Sequence, residues 1–370
     1  MRHRWLLLAA ITLYCLLAAC NTAAATGRRG TLLLIGGGLD DDHAPTYRRL
    51  LELANGPGLA TPKMGPQIVV VTAATGPEEQ EAIDKTEALR TWCWSAGVEV
   101  VRRATPTAAT VAAIDRAGGL LFTGGDQQRI LARYRPDGQD TPEWLAMQRL
   151  LQRGGVIAGG SAGCAMMGEL MLLGGSSAAA LGAPTADGST PEASTRLGPG
   201  MQFLPWAITD SHFFERQRIG RLVQALEASG RRFGIGVGED ATVEVDLATG
   251  TLRGLGTAAS LLIDAGHLQR EGTARRRLVA RLLGDGERVS LAELQRTPGP
   301  APRGPVARPF VIEVPVVEPG QNRQLASWRM FHQAATPNSG NLWRLQLDGW
   351  RILAWAEAPG VVGFDVEVGN

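Results

Sequence analysis

Between residues 31 and 158, short apolar runs alternate with helix-length stretches, and this alternation restricts the fold more than any other feature of the chain. The runs at 31–35, 67–71, 98–101, 119–122 and 155–158 read as buried strands, the first ending in the tight turn Gly36-Gly37-Gly38. Helix-like stretches fall between them at 44–54, 77–96, 107–116, 126–135 and 141–153. The pattern predicts an α/β fold, with a mostly parallel sheet covered by helices on both faces.

Further along, residues 174–200 are rich in Gly, Ser, Thr and Pro and read as an irregular surface insertion. Strands are expected at 207–209, 233–237, 242–245 and 259–263, with a helix at 214–229. The pattern fades over 282–294, and a Pro-rich linker is expected at 295–309. Residues 310–370 then form a small C-terminal α+β extension whose role the sequence leaves open. Four tryptophans fall there (Trp328, Trp343, Trp350 and Trp355), and packing of a small core explains them more simply than a binding face.

The first thirty residues stand outside this pattern. Arg2, His3 and Arg4 precede an apolar run over 5–17, too short for a comfortable membrane span of roughly 20 residues. The segment closes on Leu17-Ala18-Ala19-Cys20, which looks like a bacterial lipobox. This predicts a signal peptide at 1–19, lipidation of Cys20 and a tether at 20–30. The expected location is therefore exported and membrane-anchored, at the outer membrane or the periplasmic face. Cys93 and Cys164 would then be the remaining thiols, and spacing alone does not say whether they pair. With 37 basic against 36 acidic residues, no charge excess points to a nucleic-acid partner. No Cys-x-x-Cys or His-x-x-x-His pair supports a metal, and Gly36-Gly37-Gly38 lacks the third glycine of a dinucleotide fingerprint. No cofactor is expected.

The chemistry concentrates at Gly159-Gly160-Ser161-Ala162-Gly163, where a strand runs into Gly-x-Ser-x-Gly and then a helix. Glycines there permit the sharp turn that lifts a nucleophilic serine out of a sheet, with the following amide aimed at a developing oxyanion. Cys164, one helical turn inside, reads as a small buried residue. A serine needs a base. Among His43, His212, His267 and His332, the candidate is His212, just past a strand and at the head of a helix. His43 follows Asp40-Asp41-Asp42, read as a charged helix start rather than a metal site.

Taken together, Phe122-Thr123-Gly124-Gly125-Asp126-Gln127, Gly160-Ser161-Ala162-Gly163, Asp210-Ser211-His212-Phe213 with Arg216, Arg218 and Arg221, and the run Gly234 to Asp240 resemble a cyanophycinase-type serine peptidase. Such enzymes are relatives of aspartyl dipeptidases on a scaffold similar to class I glutamine amidotransferases. The resemblance covers about residues 31–294. It implies Ser161 as nucleophile, His212 as base and Glu239 as the carboxylate that orients the imidazole. It also implies an oxyanion hole from the Gly125 and Ala162 amides, with Gln127, Arg216, Arg218 and Arg221 in the substrate pocket. Chain order agrees, because the acid follows the histidine, unlike the Ser, acid, His order of α/β-hydrolases.

The implied activity is exopeptidase cleavage of cyanophycin, the arginine-bearing polyaspartate, into β-aspartyl-arginine dipeptides through an acyl-enzyme. Ser211 stands where the family usually has Gln, which favours other aspartyl or isoaspartyl peptides as an alternative. The anchor and extension favour a second alternative, a non-catalytic binding protein on the same scaffold. A homodimer is left open.

Overall fold

The computed structural model describes residues 30–39, 43–56, 67–182, 195–297, 311–313, 325–335, 342–347, 350–358 and 361–368. Its first half follows the alternation of the sequence: β1 (Thr31–Ile35), α1 (Ala44–Ala54), β2 (Gln67–Val71), α2 (Glu78–Trp92), β3 (Gly97–Val101), α3 (Thr107–Arg116), β4 (Gly119–Phe122), α4 (Gln127–Tyr134), α5 (Pro142–Gln152), β5 (Val156–Gly160) and α6 (Ala162–Ala165). A side ribbon follows, with β6 (Leu170–Leu172), α7 (Ser177–Leu181) and β7 (Leu197–Pro199). The remainder is β8 (Ala207–Asp210), α8 (Ile219–Ser229), β9 (Phe233–Val237), β10 (Ala241–Asp246), β11 (Thr251–Gly256), β12 (Ser260–Asp264), β13 (Gln269–Glu271), β14 (Ala274–Leu283), β15 (Arg288–Ser290), α9 (Leu291–Arg296), β16 (Val311–Glu313), α10 (Leu325–Ala334), β17 (Leu342–Leu347), β18 (Trp350–Ala358) and β19 (Val361–Val368).

The main sheet has the order β15-β11-β10-β1-β5-β4-β2-β3. It is parallel from β1 to β3, where helical crossovers separate the strands, and antiparallel from β1 through β10 and β11 to β15. The expected mostly parallel sheet is therefore a mixed one. The reason is local: β10 reaches β11 through a short turn closed by Gly250, and so short a link allows only a hairpin.

Alternation along the central strands feeds two cores. Leu32, Leu34, Val69, Phe122 and Ile157 point to the side of Ile114, Met147 and Leu150 on α3 and α5. Their neighbours Leu33, Ile35, Ile68, Val70 and Ala158 point to the side of Tyr47, Leu50 and Leu89 on α1 and α2. Period-2 side-chain direction accounts for both faces from one apolar run.

A second sheet runs β16-β17-β18-β19-β14-β12-β9-β8, with β13 paired to β14. The C-terminal strands continue this sheet through β19 and β14 and share a core with Leu222, Val223 and Leu226 of α8. Trp343 and Trp350 are buried in that core, as packing rather than as a binding face. The 174–200 stretch is not wholly irregular, since β6 and β7 pair antiparallel and α7 packs on α8. No described helix is long and apolar enough to cross a membrane. The leader, Cys20 and Asp40 to Asp42 lie outside the described residues.

Candidate active site

The candidate residues converge at the C-terminal end of β1 and β5, on the strand-to-helix turn between β5 and α6. Gly159 and Gly163 face each other there. A Cβ at Gly159 would lie 2.2 Å from the Gly163 carbonyl oxygen, so α6 approaches the strand as closely as only glycine allows. Ser161 between them holds φ 51° and ψ −105°, a conformation costing on the order of 1–3 kcal/mol. The turn lifts its side chain clear of the sheet. His212 is also at positive φ (45°), as is Asp240 (53°), next to Glu239.

Three successive carbonyls at the end of β1 fix these strained segments. The Ser161 N–H donates to Ile35 O at 3.1 Å, His212 N–H to Gly36 O at 2.7 Å, and Asp240 N–H to Gly37 O at 3.3 Å. The glycines are required sterically: a Cβ on Gly36 would lie 1.8 Å from Gly238 O, and one on Gly37 2.4 Å from His212 Cε1. In the sequence this triple glycine reads as a tight turn that lacks the third glycine of a dinucleotide fingerprint. Its signal was the run itself, directly after a buried strand.

The side chains form a linear relay. His212 Nε2 is 2.8 Å from Ser161 Oγ, and His212 Nδ1 is 2.6 Å from Glu239 Oε1. An Nδ1–H donating to the carboxylate leaves Nε2 as the acceptor facing the hydroxyl. His212 is 8 % exposed. Burial pushes its pKa below the ordinary 6.5 and the Arg216 and Arg218 charges add to this, while the Glu239 hydrogen bond opposes them. The imidazole is therefore neutral at neutral pH, ready to accept a proton. Cys164 is fully buried, and burial pushes its thiol far above the ordinary range, so no thiolate competes. Cys93 is also a free thiol, and the two cysteines do not pair.

Beside Ser161, Gly124 comes close enough that a Cβ there would lie 3.4 Å from the serine Cβ, and Gly125 follows at φ 133°. Among the described residues, neither the Gly125 nor the Ala162 amide has a protein acceptor, whereas the flanking Thr123 and Asp126 amides donate to Val71 O and Ala74 O. One of these unpaired donors belongs to the residue after Ser161 and the other to the residue after Gly124, and such amides are the kind that can receive an oxyanion.

The residues expected in the pocket separate. Gln127 opens α4 and donates from Nε2 to Leu172 O at 2.6 Å. Residues 214–218 are turns, and α8 begins only at Ile219, so Arg216, Arg218 and Arg221 do not lie on one helix as the sequence suggested. Arg216 is exposed, with its N–H bonded to His212 O at 3.0 Å. Arg218 is partly buried; Nη1 donates to Ser211 O at 2.7 Å and to Asp210 Oδ1 at 3.3 Å, and burial pushes its pKa down to about 10, still protonated at neutral pH.

Arg221 is not available to a ligand. It is buried and spends Nε and Nη2 on Asp210 at 2.7 and 2.5 Å, and Nη1 on Gly175 O at 2.8 Å. Asp210, 0 % exposed, is thus the hub of this cluster. None of the four lines the cleft of about 360 Å³ that opens at Ser161; that cleft is bounded by Gly37, Gly38, Tyr47, Glu81, Lys85, Leu121 and Gly124, among others. No motif in the sequence marks Tyr47, Glu81 or Lys85.

The model of peptidase family S51 matches residues 32–252. The chain is 33 % identical over 208 residues to a cyanophycinase from Nostoc sp., covering 55 % of this chain and 60 % of that protein. It is 36 % identical over 160 residues to a cyanophycinase from Trichormus variabilis, covering 42 % and 48 %. The matched region thus spans about half to three-fifths of these relatives. Among solved structures, a peptidase from an acI-B1 Actinobacterium superposes with TM-score 0.51 at 18 % identity, covering 72 % of this chain and 100 % of that one, a likeness of fold.

Proposed function

The chain belongs to peptidase family S51, and from that premise we propose that it is a serine exopeptidase that hydrolyses aspartyl backbone bonds of cyanophycin, releasing β-aspartyl-arginine dipeptides. The observation that carries the reading is the relay Glu239–His212–Ser161, with bonds of 2.6 and 2.8 Å, set beside two unpaired amides.

In the proposed reaction Ser161 Oγ attacks the scissile carbonyl carbon while His212 Nε2 takes the hydroxyl proton. The carbonyl oxygen becomes an oxyanion and accepts from the Gly125 and Ala162 N–H groups. Collapse expels the amine, which receives the proton from Nε2–H, and leaves an acyl group on Ser161. Water then attacks the ester with His212 again as base, and the carboxylic acid product departs. Throughout, Glu239 accepts from Nδ1–H and stabilises the imidazolium that forms. Arg216 and Arg218 would hold an aspartyl carboxylate, and Gln127 would line the same side. Arg221 would act on that side only through Asp210, which it shares with Arg218.

One observation favours a second reading, a peptidase for other aspartyl or isoaspartyl peptides. Ser211, whose side chain is shorter than the family's usual Gln, lies beside Arg218, with Oγ 3.4 Å from Nη1. The intact relay weighs against a purely binding role. We further propose that export and lipidation at Cys20 hold the enzyme at the outer membrane or periplasmic face. Incubating the purified protein with cyanophycin and with Asp-containing dipeptides, and weighing the products, tests the assignment. β-Aspartyl-arginine from cyanophycin supports it, and cleavage of the small peptides alone supports the second reading.

A further inference from the structure

The Gly125 amide beside Ser161 is seated on a second loop, the one that joins β2 to α2. A Cβ on Gly125 would lie 2.2 Å from Ala74 O and 2.9 Å from Thr75 Cα, so its backbone rests directly on the Ala74–Thr75 peptide. The next amide, Asp126 N–H, donates to Ala74 O at 3.0 Å and ties the two loops together at the same point. Where that peptide stands therefore decides where the Gly125 N–H points. Arginine from a third loop fixes it. Arg103, just past β3, donates from Nη1 to Ala73 O at 3.1 Å and to Thr75 O, the carbonyls on either side of Ala74. Arg129 of α4 adds its Nη1 at 3.4 Å from Ala74 O. Glu78, the first residue of α2, holds Arg103 in turn: it accepts from the Arg103 N–H at 2.9 Å and lies 3.2 Å from Nη2. It also accepts from Thr72 Oγ1 at 3.1 Å, at the start of the same loop. Three consecutive carbonyls, of residues 73 to 75, thus each meet a donor, and one guanidinium spans the outer two.

We propose that Arg103 is a positioning residue for catalysis. By clamping the Ala73 and Thr75 carbonyls it sets the Ala74–Thr75 peptide and, through it, the direction of the Gly125 N–H toward the oxyanion. Arg103 touches neither the substrate nor Ser161. The proposal rests on the peptidase reading of Ser161 and its oxyanion hole. An oxyanion donor accelerates the reaction only if its direction is set before charge develops, and a glycine at φ 133° does not set its own.

Labelling of the full chain by a fluorophosphonate tests this without a chosen substrate. Ser161 Oγ bonds to phosphorus, fluoride leaves with the P–F electron pair, His212 takes the hydroxyl proton, and the phosphoryl oxygen occupies the oxyanion position. Varying the probe concentration separates the maximal labelling rate from the half-saturating concentration. Arg103→Met should lower the maximal rate by about 30-fold, short of the roughly 100- to 1000-fold that follows outright loss of such a donor. The half-saturating concentration should stay within about twofold, and the pH midpoint of labelling should not move, because the relay is untouched. Arg103→Lys keeps the charge and donors on a different stem and should recover part of the rate. Arg102→Gln is the control: its pair with Glu79 is exposed, and it should label like the wild type. If circular dichroism shows Arg103→Met unfolded, Glu78→Gln loosens the clamp from its other end, with an expected fall of about fivefold, roughly the worth of one hydrogen bond. A wild-type maximal rate in the folded variant overturns the positioning role. So does a slower rate with a displaced pH midpoint, which would put the damage in the relay. A wild-type chain that does not label at Ser161 overturns the peptidase reading itself, and the proposal with it.

Discussion

Gly37→Ala probes how the end of β1 sets the relay. The new Cβ would lie 2.4 Å from His212 Cε1 and 2.5 Å from Nε2, the atom that faces Ser161. Ordinary carbon contacts begin near 3.4 Å, so the ring must withdraw by about 1 Å. A misplacement of about 1 Å costs on the order of 100-fold in rate. At φ +98° the alanine backbone is itself strained, by about 1–3 kcal/mol. We therefore expect kcat/KM on the best aspartyl substrate, and the rate of Ser161 labelling by a fluorophosphonate, to fall by about 100-fold. Urea unfolding should show the strain as lost stability, with the far-UV circular dichroism unchanged. Gly76→Ala is the matched control: nothing lies within 4 Å of its new Cβ, and it should leave rate and stability near wild type. Wild-type rates in Gly37→Ala would refute the steric argument, because the imidazole would then tolerate the methyl without leaving its place.

Three further outcomes follow from the same geometry. His212 must be neutral to act as base and its pKa is held below 6.5, so kcat/KM should fall with decreasing pH with a midpoint below that value; Arg216→Gln removes a lowering charge and should move the midpoint upward, and a wild-type midpoint above 6.5 would contradict the assignment. Asp210→Ala leaves the Arg221 and Arg218 guanidinium groups without their buried carboxylate and should cost about 3–5 kcal/mol in urea unfolding; a loss below about 1 kcal/mol would show the cluster to be solvated. Cys20→Ala should abolish lipid labelling and membrane partition in a Gram-negative host, and unchanged labelling would place the modification elsewhere.

The sequence was most legible where one physical demand dominated. β1, β2, β4 and β9 span the ranges their runs predict, because strands buried on both faces are apolar along their length, with the polar Thr31 and Gln67 only at the first positions of β1 and β2. The turn at Ser161 was legible because a strained strand-to-helix turn leaves few alternatives to its glycines. By contrast β14, Ala-Arg-Arg-Arg-Leu-Val-Ala-Arg-Leu-Leu, hid behind its arginines. Arg275 is buried on Glu227 and Arg276 pairs with Asp365, so charges that look solvated in the sequence sit within a sheet.

The helix at 219–229 starts five residues later than its periodicity suggested, because His212 and Gln217 take positive φ and hold the intervening segment in turns. The resemblance, not the spacing, implies a pocket role for Arg221, and only the fold reveals that a buried aspartate already engages it. The cleft at Glu81 and Lys85 left no motif, since it joins α1 and α2 to a serine far along the chain.

The relay itself is tested most directly by trapping the acyl-enzyme. The protein is quenched in acid during turnover of an aspartyl substrate, digested, and the modified peptide sequenced by mass spectrometry. The account predicts an acyl adduct on Ser161, absent from Ser161→Ala, whose hydrolysis rate falls by on the order of 10⁶. An adduct on Cys164, or substantial hydrolysis by Ser161→Ala, would contradict it.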